Sequence, residues 1–189
     1  YNEPYDIAGT FFSDMFRTVS PIDIPKNPDG TWTPAGASTV GRLQQGGREI
    51  ANTNNIRTTF SAKGDIIKGI WDFNADVTFE QGANINRTAS FQVPFYSGPQ
   101  YPVQYQGPST PVAEDDQGFN EYNVVNVYTT AHKQFGNHFI QVMVGGNQEY
   151  SKITTNYANR TNFVTNSYPT LALTTGPATV GESTLDWAG

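Results

Sequence analysis

Asp72, Asp76 and Glu80 lie at intervals of four in GIWDFNADVTFEQ, residues 69–81, with Asn74 and Thr78 between them. In an extended strand all five side chains share one face, because successive residues point to opposite sides. Carboxylates gathered this way invite the acid–base chemistry of a glycosidase. Spacing opposes it: residues four apart on a strand are separated by about 13 Å, whereas paired glycosidase carboxylates work at roughly 5 to 9.5 Å. The face reads instead as a wetted surface, on which Arg57, Asp72, Asn74 and Asp76 are candidates for contact with a polar solute.

Other chemistry-bearing residues are thinner evidence. His132 and His138 flank a short turn with no neighbouring cluster of further metal ligands, and turn or interface histidines are the simpler reading. Glu114, Asp115 and Asp116 offer oxygens to calcium but lack the alternating ligands and the Gly of an EF-hand loop. Asn86 and Asn159 open sequons of a kind common by chance in a chain rich in Asn and Thr. No glycine-rich phosphate loop, Gly-x-Ser-x-Gly or zinc-protease pattern assembles a nucleophile and a base. With no Cys, thiolate chemistry and disulfides are excluded, and the compartment stays open. No enzyme activity and no cofactor is therefore expected. A net charge of -6, with 11 scattered basic residues, argues against a nucleic-acid partner.

Tyr96, Tyr101 and Tyr105 fall in the proline-rich stretch SFQVPFYSGPQYPVQYQGP. Their rings could stack on sugars or peptide side chains at little entropic cost, or pack the loop onto its own scaffold or a neighbouring protein. Both readings are physical.

The elements that must carry these residues read as β-strands. From Trp71 to Glu80 apolar and polar residues alternate without a slip, and IRTTFSAKG repeats the rhythm more weakly. The glycines of GDIIKG, residues 64–69, make these two a hairpin. EYNVVNVYTTAHKQ and HFIQVMVGGNQEY form a second hairpin around Gly136 and Asn137. The expectation is an all-β chain of antiparallel hairpins with strands at about 56–63, 70–80, 121–133 and 138–147. Long loops would occupy 1–55, 81–120 and 148–189. Short turns at one end and long loops at the other match a transmembrane β-barrel, and ten residues tilted near 40° span about 25 Å, the height of its apolar band. A soluble antiparallel sheet explains the alternation equally well.

Two segments, NTNNIRTTFSAKGDIIKGIWDFNADVTFEQ and NVYTTAHKQFGNHFIQVMVGGNQEYS, resemble the SusC/RagA-like group of TonB-dependent outer-membrane transporters. Phe135, His138, Gly145 and Glu149 match that group's strand, Phe-x-x-His turn and following strand, while Phe139 and His132 depart from it. STLDWAG resembles the segment leading into the next barrel strand. The likeness covers about residues 45–189 and is loose in the loops.

The resemblance implies a partial β-barrel segment without its plug domain, from a transporter importing glycans or peptides across the outer membrane of a Gram-negative, Bacteroidetes-like cell. Implied partners are the rest of the barrel and plug, a SusD-like surface lipoprotein, and the TonB complex acting through segments absent here. The first residue, Tyr1, reads as an interior point of a longer chain. The rivals are a soluble β-sandwich carbohydrate-binding module and a structural or adhesin-like β domain.

Overall fold

A computed structural model describes residues 2–3, 16, 20–165 and 170–189. The loop reading of 4–15, 17–19 and 166–169 falls outside them. The rest is antiparallel β-structure with little helix. Strands β1 (Asn2–Glu3), β2 (Gly47–Ile67), β3 (Trp71–Ser90), β6 (Val112–Phe135), β7 (His138–Thr161) and β8 (Ala178–Ala188) form one sheet in the order β1-β2-β3-β6-β7-β8. A two-stranded sheet, β4 (Val93–Phe95) and β5 (Gln104–Gln106), fills the β3–β6 connection. Consecutive long strands are therefore neighbours, as in a meander. No described helix is long and apolar enough to cross a membrane, which leaves strand-built spans untouched.

Both short turns form. Gly69 (φ 71°) and Gly136 (φ 58°) take the left-handed conformation that a tight reversal requires and glycine adopts without strain. The strands run far past their expected ends. Residues 81–90, 112–120 and 148–161 belong to β3, β6 and β7, and a further strand, β8, occupies Ala178–Ala188 of the last expected loop. Within the expected loop 81–120 the prolines fall only at 94–111, and the connection from Ser90 to Val112 is about half the expected length. Pro94 itself lies in β4 opposite Tyr105, tolerated because a two-stranded edge does not need its missing N–H. Ahead of β2, residues 34–45 are helical rather than loop, with a π segment at Ala37–Gly41. Thr33 caps this run by accepting from the Gly36 N–H, and Pro34 stands at its first position.

Contacts divide the chain into two units. The first comprises Tyr1–Asn52, Ile85–Gln117 and Asn156–Gly181, and it has an ordinary interior. Trp32, Ala37 and Val93 are buried together, with Phe95 packed against them. Phe91 meets Phe163 edge-on at 4.8 Å. Small residues permit this density: a Cβ on Gly41 would lie 3.0 Å from Val93 and 3.5 Å from the Trp32 ring. Asn27 ties the segment down by donating from Nδ2 to Thr31 Oγ1 and to the carbonyls of Trp32 and Tyr96.

The second unit comprises Thr53–Asn84, Gly118–Thr155 and Glu182–Gly189. Its faces are fixed by cross-strand contacts. Trp71 Nε1 donates to Thr129 Oγ1, and Gly64 leaves room for the Phe73 ring. These contacts place Phe60, Trp71, Phe73, Phe79, Val125, Val127, Ile140, Val142 and Val144 on one face of the sheet. Every one of them is exposed. On the other face Thr78 and Thr130, together with Val124, are buried. That face also carries Phe139 and Met143, both exposed, so large apolar side chains predominate on the first face without being confined to it.

Candidate functional site

The inward face of the second unit carries the largest set of sequence-expected residues, joined across four strands. Thr59 and Thr78 share a hydroxyl–hydroxyl bond of 2.8 Å between β2 and β3. One residue pair along, Glu80 accepts from Asn55 Nδ2 at 3.0 Å and faces the Arg57 guanidinium at 3.8 Å. In the other direction Asp76 Oδ2 accepts from Asn126 Nδ2 at 2.6 Å, and Asn126 Oδ1 accepts from Asn147 Nδ2 at 2.5 Å. A carboxylate and two amides thus form a relay across β3, β6 and β7. Each amide donates toward the charge, and each bond polarises the next.

Arg57, Asp72, Asn74 and Asp76 all lie on this face. Asn74 Nδ2 donates to Asp72 Oδ1 at 3.2 Å. They are spread along the strands rather than converged on one point, as the spacing of their strand requires. A hollow of about 620 Å³ lies against Asp76, Asn126, Tyr128, Met143, Gly145 and Asn147. It exists because Gly145 has no side chain: a Cβ there would meet Tyr128 Cβ at 2.6 Å. The face offers acceptor oxygens, amide groups and the hydroxyls of Thr59 and Thr78.

Asn126 and Asn147 escape sequence reading because each is a lone Asn whose partner lies on another strand. The available signal was Asn126 itself, a polar interruption in VVNVY. His132 lies against Phe139, with ring centroids 5.9 Å apart. Among the described residues no group of three or more His, Asp or Glu side chains is placed to hold a metal ion.

The tyrosines belong to the first unit. Tyr105 sits in β5 and is 56% exposed, and Tyr101 in the β4–β5 turn is 61% exposed. Tyr96 is half-buried, its N–H donating to the Trp32 carbonyl at 3.0 Å. Tyr101 and Tyr105 therefore keep a free ring surface, whereas Tyr96 is tied to the core beside it. The acidic run Glu114–Asp116 is strand rather than loop, and Asp115 pairs with Arg87 at 3.2 Å while accepting from Gln117. Compared with known proteins, the chain matches no family model and no curated sequence.

Proposed function

We propose that this chain is part of the wall and rim of an outer-membrane β-barrel transporter of the SusC/RagA-like, TonB-dependent group, importing glycans or peptides. One observation carries the reading: across four neighbouring strands of the second unit the large apolar side chains are exposed, while hydrogen-bonded polar ones occupy the opposite face. In water such a surface would drive association, because an exposed apolar area of this extent is a binding surface or an aggregation hazard. In a barrel the same surface faces acyl chains and the polar ladder faces a wet lumen.

Dimensions support the assignment. From Trp71 to Gln81 is roughly 33 Å along the strand, and a tilt near 40° brings it to about 25 Å, the height of a barrel's apolar band. Trp71 then stands at one edge and Phe79 near the other, where aromatic girdles lie. Among the described residues the outer side of β8 and most of the outer side of β2 have no strand partner, so the reading requires further strands beside them. In this role the chain performs no reaction. It guides a solute past Arg57, Asp72, Asn74 and Asp76, with Tyr101 and Tyr105 at the rim. A plug driven by the TonB complex gates passage, and a SusD-like lipoprotein closes the outer side.

The absence of native Cys makes the test clean. Nitroxide labels on single cysteines at Val127 and Val142, in the full-length protein in liposomes, are expected to be relaxed by oxygen from the lipid phase. Labels at Asn74 and Asn126 are expected to respond to a water-soluble nickel chelate. Equal response of all four to the chelate, in a protein that stays monomeric without detergent, would overturn the membrane reading in favour of a soluble sandwich module.

A further inference from the structure

The outward face of the second unit changes character just past Phe79. Gln81 on β3, Glu121 on β6 and Lys152 on β7 line a hollow of about 430 Å³, walled by the exposed apolar side chains of Ile56 and Phe119 and floored by Ala83. All share a side of the sheet with Trp71 and Val127 by strand alternation. The hollow therefore opens at the rim of the apolar surface, where the carbons of Ile56 and Phe119 meet a charged pair.

That pair is unspent. Glu121 and Lys152 line one cavity on adjacent strands, yet among the described residues Lys152 has no carboxylate within ion-pair distance. Among the described residues Glu121 accepts from the Asn123 amide alone, at 3.3 Å. Two opposite charges that share a hollow without meeting fit a ligand with two opposite charges of its own. An ammonium donating to Glu121 and a phosphate accepting from Lys152 would each make a charge-assisted hydrogen bond. The apolar part of such a ligand would continue down the exposed surface from Ile56 to Phe79, burying carbon on carbon.

We propose that this hollow is a binding site for a phospholipid whose headgroup carries one phosphate and one primary ammonium, a proposal that rests on the membrane reading above. Phosphatidylglycerol would satisfy Lys152 equally but offers Glu121 only neutral hydroxyls in place of an ammonium, so the site discriminates by headgroup charge pattern as well as by attraction.

Native mass spectrometry of the full-length, delipidated protein in detergent, offered equal amounts of phosphatidylethanolamine and phosphatidylglycerol, tests this. Retention of the ethanolamine lipid is expected to exceed that of the glycerol lipid by about tenfold, the worth of one charge-assisted bond. Glu121→Gln should abolish the preference, Lys152→Gln should weaken retention of both lipids while leaving the ethanolamine lipid ahead, and the double exchange Lys152→Glu with Glu121→Lys should restore the original pattern. Equal retention of both lipids, or a preference untouched by Glu121→Gln, overturns the proposal. So does preferential retention of the glycerol lipid that depends on Lys152 alone. Failure of the underlying reading looks different: the protein stays monomeric without detergent and retains neither lipid.

Discussion

Trp32 and Val127 are both large apolar residues of one chain, and they sit in opposite circumstances. Trp32, in the first unit, is 7% exposed, packed with Ala37 and Val93, bonded through Nε1 to Gln45 and covered by the Lys26 ammonium at 4.6 Å. Val127, in the second, is 51% exposed with exposed apolar neighbours on its face. Strands β2, β3, β6 and β7 contribute residues to both units, so neither strand propensity nor composition separates them. The partition of side chains does. One unit hides carbon from water in the usual way, and the other shows its carbon outward and folds its polar groups inward. The proposed barrel would set water against the first arrangement and lipid against the second.

The strongest way to sharpen this contrast is to damage the first unit. Trp32→Ala removes the centre of its small core and is expected to cost about 3–5 kcal/mol, as large-to-small core substitutions of aromatics do. Measured as urea unfolding followed by proteolysis within residues 20–45, the loss should be the same in detergent micelles and in liposomes. A loss that appeared only in lipid would merge the two units into one environment and break the comparison.

The reverse pattern is expected at Val127. Val127→Arg places a charge on a surface already half-exposed, so in water it should change little. At a bilayer midplane an arginine on the lipid face costs about 2–4 kcal/mol. Folding equilibria of the full-length protein into liposomes should register that loss, and the same substitution at Tyr128, one residue away on the inward face, should not. An indifferent Val127→Arg would leave the exposed carbon without its solvent.

Next in size is the polar ladder. Asp76→Ala leaves the Asn126 amide without its carboxylate and is expected to cost about 1–2 kcal/mol, reduced from the value of a buried charged bond because Asp76 is only partly covered. A double-mutant cycle with Asn126→Ala should recover about 1 kcal/mol of coupling, and no coupling would mean that the inward face is merely wet.

These cases also mark how far the sequence was legible. The alternation at Trp71–Glu80 revealed a strand because its two faces meet different surroundings. It went silent at Gln81–Asn86 although the strand continues to Ser90, since Gly82, Asn84 and Asn86 on one face and Gln81, Ala83 and Ile85 on the other give neither face a consistent polarity. Glu114–Asp116 read as loop for the same reason. The core around Trp32 left no periodic trace, because it joins a turn, a helical segment and β4 from distant parts of the chain, with Gly36, Ala37 and Gly41 giving room rather than pattern. Among the site residues, Arg57 and Asp76 were found from their own strands. Asn126 and Asn147 required the register between strands, which a local pattern does not contain.

The smallest expected effect belongs to the first unit and to pH. Asp29 Oδ1 accepts from the Thr31 N–H at 3.0 Å and from its hydroxyl at 2.6 Å. These bonds, the hydroxyl's first, hold the carboxyl below its ordinary value of 3.8. A folded-state pKa that is depressed adds stability above the unfolded value and forfeits it as pH falls through the lowered one. The turn at residues 27–31 should therefore be at full strength above pH 3.8 and loosen progressively below it, seen as faster hydrogen exchange at the Thr31 amide. Asp29→Asn should flatten that profile, because an amide oxygen accepts the same bonds without titrating. Exchange at Val127, in the interior of β6, should stay level over the same range. If both positions respond alike, acid is loosening the whole chain, and the difference between the two units does not extend to their titration.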